Sequence, residues 1–283
     1  MISGWAIYVV ALLFACCGVN AQDTEILDWT DSPAALKAMV ARTTNKTDKT
    51  STHMYHEAYH ALLSPLAIRA RHGAHTRIRM LEIGLGCNMP KGPGGSVLMF
   101  QAMFLPPIAF EHHVMEFDET CAKAWDREFN GDGRVVLHIG DQNSTRDLDS
   151  IVESLGRQNR FNIVIDDGSH HSEHQRNSLL HLCSHMAPGG VYFVEDIPSS
   201  CKSYVANEPG VIIDQRGRKV GGREVGGTAG CMVLKNGEPT FFADLVLWSS
   251  RMAKEIRVTV PGRPHCELTQ IATFHQVAVL VFS

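Results

Sequence analysis

The sequence predicts a doubly wound α/β fold, with a mostly parallel sheet of seven strands, helices on both faces and a C-terminal antiparallel hairpin. From Ile78 onward, apolar runs of strand length alternate with segments of helix length, a pattern typical of parallel β-α-β units. Pro188-Gly189-Gly190 is a helix-stop signal that leads into the next strand. Two final apolar runs, separated by a short gap, indicate the hairpin.

The elements follow in chain order. The five parallel strands are predicted from short, mainly apolar runs that alternate with the helices, as expected for a parallel sheet covered on both faces: Ile78–Ile83, Ala109–Phe117, Val135–Ile139, Phe161–Ile165 and Gly190–Val194. The helices predicted between and after them are Val97–Phe104, Glu119–Phe129, Ser144–Leu155, Ser172–Met186 and Pro239–Lys254. The hairpin strands are Thr269–Phe274 and Val277–Phe282.

Length and composition restrict the class of protein. The chain has 283 residues, enough for one large domain, and its 44% hydrophobic and 20% charged residues argue against extensive disorder. A net charge of −4 disfavours a broad nucleic-acid-binding surface. We expect a signal peptide at 1–21, an N-terminal extension at 22–68 and an α/β domain at 69–283.

The N-terminus indicates the compartment. The apolar run Ile7–Cys17 is followed by small or apolar residues at Val19 and Ala21, which match a signal-peptidase site. We therefore expect cleavage after Ala21 and entry into the secretory pathway lumen or secretion. The alternative is an uncleaved single-span anchor at Ile2–Val19.

Six cysteines remain after cleavage, and an oxidising compartment allows them to pair in 15 ways. Cys87 follows the first strand and Cys121 opens the helix after the second, so we predict a disulfide between them. Two buried thiols are the alternative. Asn45 and Asn143 begin glycosylation sequons, and Asn45 is the better candidate because its surroundings are polar.

Ligands of parallel sheets bind beyond the carboxyl ends of the strands. Gly84 and Gly86 after the first strand allow close approach of a cofactor, but the spacing matches neither a dinucleotide fingerprint nor a phosphate loop. Glu116 after the second strand is placed to bind ribose, and Asp141 and Gln142 after the third could read an adenine edge. Each carboxylate could instead be a solvated loop residue.

Two acidic pairs end the fourth and fifth strands. Asp166-Asp167 and Glu195-Asp196 would lie side by side and repel one another unless a cation separates them. Oxygen ligands favour a hard ion, so Mg2+ is expected, with Ca2+ or Mn2+ as alternatives. His170 is close enough to act as a general base. Helix capping of Ser172–Met186 by Asp167 or Ser169 would explain only the first pair.

These motifs together resemble class I S-adenosylmethionine-dependent methyltransferases with Rossmann-like folds. The segments that carry the resemblance are LEIGLGCNMPKGPGGS, MEFDETCAKAW, GDQ, FNIVIDDGSHH and PGGVYFVEDI. More narrowly, the sequence from Thr47 to Ser283 is similar to metal-dependent macrolide-sugar O-methyltransferases and the fungal hard-surface-induced proteins related to them. Thr47-Asp48-Lys49, with His53, Tyr55 and Tyr59, resembles the segment that covers substrate and cofactor in that family.

The resemblance implies roles for single residues. It places Glu82, Gly84 and Gly86 along the methionine part of S-adenosylmethionine, and Asp166 nearer its amino-acid end. It gives Glu116 the ribose, and Asp141 and Gln142 the adenine. It makes Asp167, Glu195 and Asp196 ligands of Mg2+ and His170 the base. The stretches 87–95 and after Asp196 differ from the family, so the acceptor is defined only as a hydroxylated small molecule or glycan.

Two other functions stay open from the sequence. A secreted binding protein could keep the fold without activity, and an oxygenase could use the same edge of the sheet. An oxygenase normally needs two histidines and one carboxylate for iron, whereas this cluster is rich in carboxylates. S-adenosylmethionine is made in the cytosol, so a lumenal enzyme would need an imported cofactor or would have lost or changed its activity.

Overall fold

The computed structural model describes residues 28–73, 77–156, 158–197, 239–254, 257–274 and 276–283, and the backbone of four two-residue strands between 202 and 220. The predicted signal peptide or anchor at 1–21 lies outside the described residues. Within the described ranges, every helix is too short or too polar to span a bilayer.

The centre of the fold is one twisted sheet of eight strands. In chain order these are β1 (Arg77–Ile83), β2 (Ala109–Glu116), β3 (Val135–Ile139), β4 (Phe161–Asp166), β5 (Met186–Val194), β6 (Val258–Thr259), β7 (Glu267–Phe274) and β8 (Val277–Phe282). Their spatial order is β6-β7-β8-β5-β4-β1-β2-β3. Strands β1 to β5 are parallel and β5 to β8 pair antiparallel. The predicted architecture is confirmed, with the short edge strand β6 as an addition to the seven expected strands.

Seven helices in the described part of the chain accompany the sheet: α1 (Pro33–Thr43), α2 (His56–His72), α3 (Gly95–Met103), α4 (Glu119–Phe129), α5 (Thr145–Leu155), α6 (Ser172–Leu182) and α7 (Phe241–Met252). Buried residues of α1, α2 and α3 form a core with one set of sheet residues. Those of α5, α6 and α7 form a second core with another set. The helices therefore cover both faces of the sheet, as predicted for its parallel strands.

The predicted border between the fourth intervening helix and the fifth strand was wrong. The helix ends at Leu182, a 3-10 turn occupies Cys183–His185, and β5 already begins at Met186. Pro188-Gly189-Gly190 forms a bulge inside β5, where Phe161 pairs with Met186 and Ile163 with Val191. Gly189 has φ +72°, which a bulge can accommodate and a regular strand cannot.

The N-terminal segment is part of the same core. Leu36 of α1 and Tyr59 of α2 are fully buried in the cluster that contains Phe193 of β5. The boundary predicted at 68/69 falls inside α2, which runs through to His72. This packing brings the segment before α2 over the carboxyl ends of the strands.

Candidate active site

A cavity of about 500 Å3 opens at the carboxyl ends of the parallel strands. The turns that follow β1 to β5 form its floor and walls, and residues 46–49, 53 and 55 of the N-terminal segment line another side. The location agrees with the rule that parallel sheets bind ligands beyond their carboxyl ends. Most of the predicted site residues are therefore gathered around one space.

The turn after β1 runs very close to the turn after β4. Gly84 has φ +102°, and a Cβ at this position would come within 2.3 Å of the Asp167 carbonyl oxygen. Gly86 has φ +81° and lines the same cavity. Glycine at these positions leaves backbone, rather than side chains, facing the cavity, which suits a bound cofactor.

The glycine turn is linked covalently to the next helix. Cys87 and Cys121 are bonded, with their Cα atoms 6.0 Å apart, so the predicted disulfide is confirmed and the alternative of two thiols is wrong. A second disulfide, Cys183–Cys266, joins the end of α6 to the start of β7. It was missed because its 83-residue separation carries no local signal.

Glu116 holds two turns together at the end of β2. Its Oε2 accepts a hydrogen bond from the Leu85 amide at 2.9 Å, and its Oε1 accepts from the Phe117 and Asp118 amides at 2.9 Å each. A carboxylate offers about four acceptor positions. These three bonds fix its orientation at the cavity wall and leave room for a hydroxyl donor, as the predicted ribose contact requires.

Asp141 and Gln142, which follow β3, make different contributions to the cavity. Asp141 lines the cavity, and its Oδ1 accepts from the Asn143 amide at 2.8 Å. The side chain of Gln142 is bonded at both ends, to Asp166 Oδ1 at 3.0 Å and to the Ser169 amide at 2.7 Å. Gln142 therefore braces the turn after β4, although it also borders the cavity.

Asp166 and Glu82 lie behind the cavity wall. Asp166 is fully buried, and its carboxylate accepts from Gln142, Ser178 and Tyr192 at 2.6–3.0 Å. Burial raises the pKa of this carboxyl. Glu82 is fully buried 3.3 Å from His112 Nε2, and neither of its oxygens has a hydrogen-bond partner among the described residues. The structure thus brings neither residue into contact with the cavity.

The acidic tips of β4 and β5 meet at the cavity, as predicted. His170 Nε2 lies 3.8 Å from Asp167 Oδ1 and 3.6 Å from Asp196 Oδ2. His170 and Asp196 are both in the left-handed region, at φ 57° and 50°. Such backbone conformations are uncommon outside glycine and concentrate at functional sites. His171, rather than Asp167, occupies the N-cap position of α6 and makes no side-chain capping bond, so capping does not explain the first acidic pair.

Four side chains of the covering segment, residues 47–59, contact the acidic tips, and one of them, His53, has its Nδ1 3.6 Å from Asp196 Oδ1. Lys49 Nζ donates to Asp167 Oδ2 at 2.5 Å and also to Glu195 Oε2. The Tyr59 hydroxyl donates to Glu195 Oε1, and the Tyr55 hydroxyl to Asp196 Oδ1 at 2.6 Å. The sequence resemblance had marked this segment as a cover but gave these side chains no partners.

The curated proteins described below, which are similar to part of this chain, are O-methyltransferases by name. No protein-family model matches the chain. Demethylmacrocin O-methyltransferase of Streptomyces fradiae is 35% identical over 121 residues, which are 42% of this chain and 27% of that protein. Mycinamicin VI 2''-O-methyltransferase of Micromonospora griseorubida is 35% identical over 122 residues, 43% and 27% of the two chains. The matched region spans about a quarter of these curated relatives.

A solved structure extends the likeness to most of the fold. The MycE methyltransferase from the mycinamycin biosynthetic pathway, in complex with Mg, SAH and mycinamycin VI, superposes with a TM-score of 0.58 at 23% identity. The match covers 88% of this chain and 53% of that one. The chain has a class I methyltransferase fold. The resemblance read from the sequence motifs is thereby confirmed for the architecture.

The site of this methyltransferase fold fits a hard divalent cation. Asp167, His170 and Asp196 each offer one ligand atom, and these atoms lie within 4.8 Å of one another. Glu195 is not one of these three residues, and both of its oxygens already accept hydrogen bonds, from Lys49 and Tyr59. The glycine turn fits a cofactor on separate grounds, since Gly84 and Gly86 both line the cavity and have no side chain that would keep a ligand away from their backbone.

Burial and charge set the protonation of the acidic tips. Burial opposes a charged Lys49, yet the carboxylates of Asp167, Glu195 and Glu82 outweigh it and raise the pKa of the ammonium. Burial raises the pKa of Glu195, with Asp167 adding to the effect and Lys49 opposing it. Burial, followed by the charge of Glu195, raises the pKa values of the Tyr55 and Tyr59 hydroxyls. Both tyrosines are therefore hydrogen-bond donors to the carboxylates at neutral pH.

Proposed function

We propose that the protein is an S-adenosylmethionine-dependent, Mg2+-dependent O-methyltransferase that acts on a hydroxylated small molecule or sugar. The observation that carries the proposal is the convergence of His170, Asp167 and Asp196 on one cavity that also contains the Gly84–Gly86 turn. The curated relatives support the reaction type, since both are O-methyltransferases by name.

The chain's residues would divide the work of binding. Gly84 and Gly86 would lie along the methionine part of the cofactor, and Glu116 and Asp141 would hold the nucleoside. Gln142 would support this end by fixing the turn after β4. Because Glu82 and Asp166 lie behind the wall, we propose that they shape the cofactor site from beneath and do not touch the ligand.

Asp167 and Asp196 would hold the divalent cation, and Glu195 belongs to the same proposed ligand set. When bound, the cation supplies a Lewis acid that lowers the pKa of a coordinated substrate hydroxyl. These carboxylates line the cavity that would hold the methyl donor, so an acceptor coordinated to the cation would be oriented toward that donor. Alignment of this kind contributes a large part of the rate enhancement in two-substrate reactions.

His170 would take the proton at Nε2. When bound, the cofactor would supply an electrophilic methyl group to the hydroxyl oxygen, and the electron pair of the sulfur–methyl bond would stay on the departing sulfur. The proton of the hydroxyl would pass to the His170 imidazole. Asp167 and Asp196, both within 4 Å of Nε2, stabilise the resulting imidazolium.

Calorimetry and activity measurements test this proposal. Titration with S-adenosylmethionine, with and without MgCl2, should show cofactor binding. Methyl transfer from labelled cofactor to a panel of sugars should require the metal. We expect His170→Ala to lower turnover by about 10²–10⁴-fold and to leave cofactor affinity unchanged. We expect Asp167→Asn to weaken Mg2+ binding.

Three outcomes would contradict parts of this proposal. Unchanged turnover in His170→Ala would remove His170 as the base, and wild-type Mg2+ affinity in Asp167→Asn would remove Asp167 as a ligand. Failure of the wild type to bind the cofactor would favour the rival function, a secreted binding protein that retains the fold. The convergence of the acidic tips and His170 argues against that rival.

We also propose that the protein works in the secretory pathway lumen or outside the cell. The two disulfides support an oxidising compartment. Asn45 and Asn143, which begin the two sequons, are both exposed. Expression in a eukaryotic secretory host should yield a glycosidase-sensitive product that begins at Gln22. Asn45→Gln is the matched control, and retention of residues 1–21 in membranes would indicate the anchor instead.

A further inference from the structure

Lys49 is a buried ammonium whose charge is committed to the acidic tips. Its side chain is 5% exposed, and its two ion-pair partners are Asp167 and Glu195, exposed by 28% and 0%. Lysine is almost never buried unless it is paired. The contact of Lys49 with Asp167 spans 118 positions of the chain, and its contact with Glu195 spans 146. Lys49 therefore joins the covering segment directly to both strand ends.

The ammonium is bonded to two carboxylates, Asp167 and Glu195, that the proposed function assigns to a cation. It bonds Asp167 Oδ2 and Glu195 Oε2, while the oxygens nearest to His170 are Asp167 Oδ1 and Asp196 Oδ2. Among the described residues, Lys49 is the one lysine or arginine that forms ion pairs with these tips. A second positive charge placed between the same carboxylates would be repelled strongly, because little water is available to screen it.

We propose that the Lys49 ammonium and a divalent cation are alternative occupants of the space between Asp167 and Glu195, so that cation binding releases Lys49 from the tips. This inference rests on the proposed function for the identity of the cation. Lys49 is then a positioning residue: it holds the two carboxylates together before the cation arrives, and it lowers the affinity of the site.

Release of Lys49 would loosen the cover of the cavity. The Lys49 carbonyl accepts from the Tyr55 amide at 2.7 Å, and the Asp48 carbonyl accepts from the amides of Ser51, Thr52 and His53 at 2.8–3.2 Å. The side chain and this tight turn therefore move together. Tyr55 and Tyr59 keep their bonds to Asp196 and Glu195, and His53 keeps its contact with Gln276 Oε1 at 2.8 Å, so α2 stays in place and the loosening is confined to residues 48–52.

Metal titration of matched variants tests the inference. MgCl2 and MnCl2 are titrated into wild-type protein, Lys49→Met and Lys49→Arg by calorimetry without cofactor. Because the competing charge is removed, Lys49→Met should bind at least about tenfold more tightly. Lys49→Arg keeps the charge and should stay within threefold of wild type. Lys46 also lines the cavity, but its ammonium lies over the Phe129 ring. Lys46→Met should therefore bind the cation with wild-type affinity.

Hydrogen exchange supplies a measurement that does not depend on the cation affinity. In wild-type protein, Mg2+ should increase amide exchange at residues 51–55, and this increase should be absent in Lys49→Met. Weaker cation binding in Lys49→Met would overturn the inference, as would slower exchange of the turn when Mg2+ is added to wild type. An absence of cation binding in every sample would also overturn it. S-adenosylhomocysteine titrated into the same samples reports separately on the methyltransferase assignment.

Discussion

The two disulfides should contribute similarly to stability but differently to cofactor binding. Cys87–Cys121 closes a loop of 34 residues and Cys183–Cys266 one of 83. In the chain-entropy treatment, loops of 34 and 83 residues correspond to about 3.8 and about 4.6 kcal/mol of stabilisation, respectively. Removing either bond should therefore cost several kcal/mol, and slightly more for the longer loop.

Their positions predict the functional difference. Cys87 lies in the turn that lines the cavity, whereas Cys183 and Cys266 are buried in the core that contains α6 and β7. The variant with Cys87→Ala and Cys121→Ala should lower the free energy of unfolding and also weaken S-adenosylhomocysteine binding. The variant with Cys183→Ala and Cys266→Ala should lower the free energy of unfolding and leave cofactor affinity intact.

Urea denaturation at 25 °C and calorimetry measure the two effects. Wild-type protein treated with a reductant is a further control, because it should lose stability as the alanine variants do. Equal loss of cofactor affinity in both pairs would refute the view that the Cys87–Cys121 bond orders the glycine turn. An unchanged free energy of unfolding in either pair would refute the loop-closure estimate.

Three further predictions concern the cavity wall and the edge of the sheet. Gly84→Ala should cost at least about 2 kcal/mol in urea denaturation, because its Cβ would meet the Asp167 carbonyl; Gly92→Ala, at φ +82° with nothing within 4 Å, should cost less. Glu116→Gln should destabilise by about 1–3 kcal/mol and weaken cofactor binding in calorimetry, because an amide NH2 would face a backbone N–H donor. Burial, then the nearby His113, lowers the pKa of His138 from 6.5 to about 4. The unfolded chain therefore binds the extra proton first, and stability should fall by up to about 3 kcal/mol between pH 6.5 and 4. His138→Leu should flatten that part of the stability profile, and an unaltered slope would show that another group causes it.

Much of the site could be located from the sequence because its residues follow strands. The pairs Asp166-Asp167 and Glu195-Asp196 come directly after apolar runs, and parallel strands end at one edge. The same logic placed Glu116 and Asp141 at the cavity. It failed to separate Asp166 from Asp167, since the alternation of a strand end decides which side chain points inward. Only the structure shows Asp166 buried beneath the floor.

The border at β5 shows a second limit of the sequence. Pro188-Gly189-Gly190 is a strong turn signal, and the structure uses it inside a strand as a bulge. Local residue preferences specify that the chain must bend there. They do not specify whether hydrogen bonding resumes at once on the same neighbouring strand, which depends on the register of β4.

The amino-acid sequence by itself determined the chain order of strands and helices and the edge of the sheet at which the cavity lies, whereas it only indicated the Cys87–Cys121 bond among 15 possible pairings. Periodicity and strand-end chemistry are local properties, and short-range preferences are enough to express them. Tertiary structure alone decided that Lys49 and Tyr59 bind Glu195 and that Cys183 pairs with Cys266. Those contacts join residues more than 80 positions apart, and they exist only after packing has set the register and direction of every element.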